Sequence, residues 1–165
     1  MTKSTNIPVK YVPKSLKRKD FLKQKKQIIK TRKLYKKGKY ITRKKVSSYK
    51  SKPSKHLLNV KKIYKINKLR LNKELQKKTK CNLKSLEKII KKGQGAYYSS
   101  GSRPNQTAHS WGVARLASAI TGGKSSVVDY SILEEGCKKS SKALKLAKKA
   151  KKNINMTRKI PHLKI

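Results

Sequence analysis

Residues 107–123, TAHSWGVARLASAITGG, carry the clearest helical pattern in this sequence of 165 residues. Apolar side chains recur there at i, i+3, i+4 and i+7, namely Val113, Leu116, Ala117 and Ile120. This spacing places them on one face of a helix. Thr107 is suited to begin the helix, and the glycine pair at 122–123 is suited to end it. The pattern therefore predicts a helix that buries one apolar face.

Capping residues predict further helices on both sides of this one. Serine and asparagine side chains accept hydrogen bonds from the free N–H groups at a helix N-terminus, and several of them precede apolar runs. These residues are Ser15, Ser54, Asn82, Ser126 (with Asp129 at capping-box spacing) and Ser141. Asn72 is predicted to cap a weak turn around Leu75. Gly38 is predicted to end the first helix, and the segment 37–56 is predicted to be extended. The fold class predicted is mainly α.

The segment from Gly93 to Gln106, GQGAYYSSGSRPNQ, has three glycines, one proline and no helical period. It is predicted to be a loop, with Gly93 as the left-handed cap of the helix that begins after Asn82. A small core is expected on the helices around this loop. Its predicted members are Trp111, Leu116, Ile120, Val128 and Leu133, together with Leu86 and Ile90.

The charge of the chain is unevenly spread along the sequence. The chain holds 48 Lys and Arg against 6 Asp and Glu, a net charge of +42. Residues 1–92 carry +31, residues 93–137 carry 0, and residues 138–165 carry +11. The domains predicted from this pattern are a basic N-terminal arm with short helices (1–81), a small helical domain with the glycine- and tyrosine-rich loop (82–137), and a basic C-terminal helix and tail (138–165). The tail from residue 153 is expected to be loose.

So large a positive charge indicates a polyanionic partner, and nucleic acid has a matching charge density. Of the basic residues, 41 are Lys and 7 are Arg, which favours sequence-independent phosphate contacts over base reading. Tyrosines among the lysines add the possibility of stacking on bases. The predicted nucleic-acid-binding residues are Lys25, Lys26, Arg32, Lys33, Tyr35, Lys36, Lys37, Tyr40, Arg43, Lys44, Lys45, Lys148 and Lys149.

The glycine- and tyrosine-rich loop has two interpretations that the sequence leaves open. Its polar side chains and free backbone N–H groups suit an anion or a docking partner, or they hold the loop in its own shape. The residues concerned are Tyr97, Tyr98, Ser100, Arg103, Asn105 and Thr107.

The sequence does not match the known motifs for catalysis, metal binding or nucleotide binding. The stretch ITGGKSS (120–126) lacks the first glycine and the preceding strand of a phosphate-binding loop. Cysteines and histidines are too scattered for a zinc site. We therefore predict a protein that is not an enzyme, with no cofactor, no metal and no small-molecule substrate. Cys81 and Cys137, 56 positions apart, are expected to be free thiols, with a disulfide between them as the alternative.

Membrane insertion is not expected, because no apolar run approaches the roughly 18 residues of a spanning helix. The N-terminal residues also lack the apolar stretch of a secretory signal.

Two stretches resemble a known family. KKGQGAYYSSGSRPNQTAHSWGVARLASAITGGKSSVVDYSILEEGC (91–137) and TRKLYKKGKYITRKKVSSYKSKPSKH (31–56) are similar to an uncharacterised domain family of nucleocytoplasmic large DNA viruses, of the mimivirus and chlorovirus kind. Together they cover nearly half of the chain. The family has no assigned activity, so no catalytic residue is carried over. The resemblance implies a viral origin and a protein packaged in the virion or building it.

The sequence thus favours a basic, virus-encoded protein that binds nucleic acid, mainly DNA, in genome packaging or condensation. A minor capsid or core protein, whose basic arms bind other virion proteins, is the alternative. A small enzyme using the 93–111 loop is a third and weaker hypothesis. The expected locations are the virion and the host cytoplasm at the viral factory, with the nucleus as a further alternative.

Overall fold

The computed structural model of the protein describes residues 6–153 and 162–163. Its helices are α1 (Arg18–Lys36), α2 (Lys55–Tyr64), α3 (Lys73–Thr79), α4 (Leu83–Ser99), α5 (Ala108–Ile120), α6 (Lys124–Val128), α7 (Tyr130–Gly136) and α8 (Lys142–Asn153). A short 3₁₀ helix spans Val9–Tyr11, and the strands β1 (Ile7–Pro8) and β2 (His162–Leu163) pair antiparallel. The prediction of a mainly α fold is confirmed.

The chain folds into two compact units that are built from separated segments. The described part of unit 1 comprises residues 6–52, 94–108 and 162–163, and that of unit 2 comprises residues 53–93 and 109–153. Helix α4 begins in unit 2 and ends in unit 1. The units therefore do not follow the division into 1–81, 82–137 and 138–165 that the charge pattern predicts.

Unit 1 has its own apolar core. Its buried members come from the N-terminal segment, from α1 and from the extended segment after α1, and they are Ile7, Val12, Leu16, Ile28 and Val46. The extended segment is tied to α1 by Asp20, which accepts hydrogen bonds from the backbone N–H (2.9 Å) and the hydroxyl (2.6 Å) of Ser48. Much of the predicted N-terminal arm is thus packed structure.

Unit 2 has the larger core. It combines side chains from helices α2 to α5, α7 and α8, including Val60, Leu75, Leu86, Leu116, Leu133 and Ala147. The hydroxyl of the buried Tyr64 donates to the carbonyl oxygen of Ile120 at 2.6 Å, and burial raises the pKa of this phenol well above its usual value. This bond joins α2 to the end of α5.

The predicted helix boundaries agree with the structure at most positions. Asn72, Asn82 and Ser141 each accept a hydrogen bond from a backbone N–H of the helix that follows, at 2.9, 2.8 and 3.3 Å. Gly38 ends the first helix with φ of +73°, a conformation that favours glycine. The segment between α1 and α2 forms no helix or strand and has a turn at Ser47 and Ser48.

Gly93 is where the prediction of a helix end is wrong. Helix α4 continues through Gly93 and Gly95 to Ser99, so the predicted loop begins seven residues later than expected. A Cβ atom on Gly93 would lie 2.6 Å from the Cα atom of Gly112 on α5. Gly93 is therefore a close-packing residue rather than a cap, because the two helices approach within a distance that only glycine permits.

The start predicted at Ser126 is also wrong. Helix α6 begins at Lys124 instead, and the Ser126 hydroxyl donates to the carbonyl oxygen of Gly123 at 2.6 Å. Asp129 lies between α6 and α7 and forms ion pairs described below.

Five of the seven predicted core residues lie in the core of unit 2, whereas Trp111 is half-buried and Val128 is 47% exposed.

The expectation of free thiols is wrong as well, because Cys81 and Cys137 form a disulfide. The fold brings the ends of α3 and α7 together, where the N–H of Asn82 donates to Gly136 (2.8 Å) and that of Lys138 donates to Lys80 (2.9 Å). Sequence spacing carries no information about this approach.

The prediction of a loose tail falls mostly on residues 154–161 and 164–165, which lie outside the described residues.

Candidate nucleic-acid interface

Helix α1 presents most of its lysines to solvent. It buries Asp20, Gln24, Ile28 and Thr31, which recur every three or four residues on one face. The lysines predicted to contact nucleic acid on and after this helix are exposed, except for the half-buried Lys25, and they are Lys26, Lys33, Lys36, Lys37, Lys44 and Lys45. They form the basic surface of unit 1.

Three tyrosines meet at the end of α1. The rings of Tyr35 and Tyr98 are nearly parallel, with centroids 6.2 Å apart. Tyr40 approaches both rings edge-on, at 5.8 Å from Tyr35 and 5.3 Å from Tyr98. Tyr40 itself remains 65% exposed. We call this group the tyrosine cluster, and it places an exposed aromatic ring among the lysines of unit 1.

Arg43 does not belong to the exposed surface, although its position among lysines predicted a phosphate contact. Its guanidinium lies 3.7 Å from the ring centroid of Tyr97. It donates hydrogen bonds to the carbonyl oxygen of Tyr97 and the hydroxyl of Ser102, both at 2.8 Å. Burial lowers the pKa of Arg43 from its ordinary value. Arg43 therefore positions the segment that follows Tyr40.

Arg32 is likewise used inside unit 1. Its Nε donates to the carbonyl oxygen of Ser100 at 2.8 Å, and its Nη2 donates to that of Asn6 at 3.2 Å. Partial burial lowers the pKa of Arg32. Both arginines predicted to bind nucleic acid in this region thus hold the fold together, because their planar guanidinium groups satisfy several carbonyl oxygens at once.

Two polar side chains of the predicted anion-binding loop, Tyr97 and Asn105, form hydrogen bonds within unit 1. Tyr97 is fully buried, and its hydroxyl accepts the N–H of Arg43 at 2.9 Å. The Asn105 side chain accepts from the N–H of Val46 at 2.8 Å and donates to its carbonyl oxygen at 3.1 Å. Arg103 and Thr107 have exposed side chains. These bonds favour the interpretation that Tyr97 and Asn105 hold the loop in its own shape.

Helix α8 forms a basic surface on unit 2. Its buried side is Ala143, Leu144, Ala147 and Ala150. The two predicted residues, Lys148 and Lys149, are exposed together with other lysines of the same helix. This is an amphipathic helix whose solvent side is almost entirely lysine.

A groove beside α2 has no counterpart in the sequence prediction. It encloses about 690 Å³ and is lined by Lys55, Leu58, Asn59, Lys61, Lys62, Lys65 and Asn67. Leu58 is 55% exposed at this site. The spacing of Leu58, Lys61 and Lys62 at i, i+3 and i+4 places them on one face of α2, and this signal is present in the sequence. Lys65 follows the end of the helix.

Three of the six acidic residues form ion pairs with cations of their own unit. Asp129 is fully buried and accepts two hydrogen bonds from Arg115 at 2.8 Å and one from Lys92 at 3.0 Å. Desolvation raises the pKa of Asp129, but the hydrogen bonds from Arg115 and Lys92 outweigh it, so the pKa lies below its ordinary value. Glu74 and Glu87 pair with lysines four residues further along their helices.

The two units carry equal net charge. The described residues of unit 1 contain 20 Lys and Arg against the single acid Asp20, a net charge of +19. Those of unit 2 contain 24 Lys and Arg against five acids, also +19. The stretch 93–137, whose net charge is 0, is divided between the units and forms no neutral domain of its own.

Comparisons with known proteins give a family but no activity. Among the helices in the described part of the chain, none combines the length and the apolar character needed to cross a bilayer. No curated protein and no solved structure matches the sequence. The sequence pattern of one family matches residues 8–132, which take in all of α1 to α6. The chain therefore belongs to the family of unknown function DUF5824.

Proposed function

We propose that this chain is a non-enzymatic protein that binds nucleic acid through sequence-independent contacts between its lysines and phosphate groups. The observation that carries the proposal is the net charge of +19 on each of the two units. Charge of this density attracts a polyanion and releases its condensed counterions on binding. DNA is the expected partner.

The division of labour between arginine and lysine supports contacts that ignore base sequence. Arg32, Arg43 and Arg115 are hydrogen-bonded within their own units. The exposed surfaces of α1 and α8 consist mainly of lysine, whose compact ammonium contacts phosphate as a point charge. Direct base reading relies on bidentate groups such as arginine, which these surfaces offer sparsely.

The biological setting that we propose is the virion of a large DNA virus, where the protein packages or condenses the genome. Its support is the resemblance of residues 31–56 and 91–137 to a viral domain family. The location would be the virion and the viral factory in the host cytoplasm, or the nucleus.

Salt-titrated DNA binding of the full chain tests the proposal. We expect log K against log[salt] to have a slope of several units for a mixed-sequence duplex. Neutralising Lys36, Lys37, Lys44 and Lys45 together to Gln should reduce the slope by up to about 3–4 units, at about 0.9 for each lost phosphate contact. The same four residues changed to Arg keep the charge and should keep the slope.

Two outcomes would contradict the proposal. One is an affinity that salt does not change. The other is a Gln variant that binds with the slope of the unchanged chain. All four substituted lysines are exposed, so we expect both variants to keep their helices. Circular dichroism checks this.

A second candidate function is binding to acidic surfaces of other virion proteins, and the α2 groove favours it. Four lysines surround the exposed Leu58 there, and an apolar centre with a basic rim suits a protein partner. Copurification with shell proteins should then persist after nuclease treatment and be lost in Leu58→Asp. Loss on nuclease treatment alone would exclude this candidate.

A further inference from the structure

The tyrosine cluster adds a feature that phosphate contacts do not require. Tyr40 exposes 65% of its surface, although a tyrosine of the core would be buried. Its ring is surrounded in the chain by Lys36, Lys37, Lys39 and Lys44, all exposed. An exposed aromatic ring among cations is the combination by which proteins hold the bases of single strands while neutralising the backbone.

The turn that carries Tyr40 is ordered by its own backbone. The N–H groups of Lys37 and Lys39 donate to the carbonyl oxygen of Leu34 at 3.0 and 2.9 Å, and that of Gly38 donates to Tyr35 at 3.0 Å. The chain therefore reaches Tyr40 through a fixed turn. A ring held in place in advance loses little entropy when it binds a base.

The cluster is also anchored from below. Tyr97 lies perpendicular to Tyr98, with centroids 5.1 Å apart, and is fully buried. The N–H of Arg43 donates to the Tyr97 hydroxyl, so the segment that follows Tyr40 is fixed to the same residue. Tyr40 is thus supported by two rings and by the packed interior of unit 1, while much of its own surface faces solvent.

We infer that Tyr40 stacks on an unpaired nucleobase, so that the chain prefers single-stranded nucleic acid to duplex. Bases in a duplex are stacked on each other and do not offer a free face, whereas those of a single strand do. The flanking lysines would contact the phosphates on both sides of the stacked base. This inference rests on the proposed function and specifies the form of nucleic acid at the same surface.

The test compares oligothymidylate with a mixed-sequence duplex of equal nucleotide number, using the full chain at one salt concentration. Stacking contributes about 1–3 kcal/mol for each base, so Tyr40→Ala should weaken oligothymidylate binding by about 5- to 140-fold. Duplex affinity should change by less than about twofold. Tyr40→Phe keeps the ring and should bind both probes as the unchanged chain does.

A charge control separates stacking from electrostatics. Lys44→Gln should weaken both probes and lower both salt slopes, because phosphates are present in each. Tyr40→Ala should leave both slopes unchanged, because it removes no charge. Photocrosslinking of an iododeoxyuridine-substituted oligothymidylate should place the crosslink on Tyr40.

The outcomes distinguish the two proposals. Equal weakening of both probes by Tyr40→Ala, or no weakening of either, would overturn the stacking inference while nucleic-acid binding stands. Failure of the unchanged chain to bind either probe would overturn the proposed function itself.

Discussion

Two glycines in helix α4, only two positions apart, should respond in opposite directions to the same substitution. An Ala Cβ at Gly93 would lie 2.6 Å from the Cα of Gly112 and 3.2 Å from the Cβ of Arg115. At Gly95 the nearest atom is the Tyr35 hydroxyl oxygen at 4.0 Å, which is ordinary contact. The chemical change is identical, so the difference between the variants measures helix packing.

The magnitudes follow from two opposing effects. Alanine favours a helix interior over glycine by about 1 kcal/mol, and this gain applies at both positions. Overpacking a tight contact costs about 1–3 kcal/mol, and the contact at Gly93 is with backbone, which cannot rotate away. We expect Gly95→Ala to raise the free energy of unfolding by about 1 kcal/mol and Gly93→Ala to lower it by up to about 2 kcal/mol.

Denaturant titration followed by circular dichroism measures both changes as midpoint shifts. The single tryptophan, Trp111, adjoins Gly112 and reports unfolding of unit 2 by fluorescence. The reasoning would be refuted by a Gly93→Ala variant at least as stable as the unchanged chain. That result would mean that Gly93 does not lie in close contact with α5.

Three further changes test contacts inside the two units. Reduction of the Cys81–Cys137 disulfide should lower the free energy of unfolding by about 4 kcal/mol, because it opens a loop of 56 residues; denaturant titration with and without reductant measures this. Asp129→Asn should cost about 1.5–3 kcal/mol at neutral pH, because its cationic partners lose charge-assisted hydrogen bonds to the carboxylate. Since the pKa of Asp129 is lowered in the folded chain, its stabilisation is complete above the unfolded pKa of about 3.9 and is lost as pH falls through the folded pKa, so the variant should approach the unchanged chain in acid. Tyr97→Phe should cost about 1–3 kcal/mol in thermal or chemical unfolding, because the buried N–H of Arg43 loses its acceptor.

Each of these has a result that contradicts it. Two reactive thiols in the unreduced, unfolded chain would show that the disulfide is absent. If Asp129→Asn lowers the free energy of unfolding by the same amount at pH 7 and in acid, the ionised carboxylate of Asp129 is not the source of the stabilisation. A Tyr97→Phe variant of unchanged stability would mean that the Arg43 N–H finds water or another acceptor.

Several structural features were predictable because they depend on local chemistry. Asn72, Asn82 and Ser141 cap helices with their own side chains, and the residues involved lie within three positions of each other. Gly38 takes a left-handed conformation that few other residues adopt readily. Apolar spacing likewise identified the buried faces of α4 and α5.

The candidate site was predictable only in part. Exposed lysines of α1 and α8 were found because a lysine-rich helix must present them to solvent. Arg43 was assigned to that surface because its neighbours are lysines, yet it is 7% exposed. Its stacking on Tyr97 joins residues 54 positions apart, and no local pattern indicates that contact.

What the sequence alone determined is the mainly α fold, the position of most helices and the size of the net charge, because capping, apolar spacing and net charge are properties of neighbouring residues or of totals. The tertiary structure alone decided that Gly93 continues a helix and that Cys81 forms a disulfide with Cys137. It also decided that the net charge divides equally between two units, each built from separated segments of the sequence. These depend on which distant segments pack together. Close packing and disulfide formation require an approach in space that linear spacing does not encode.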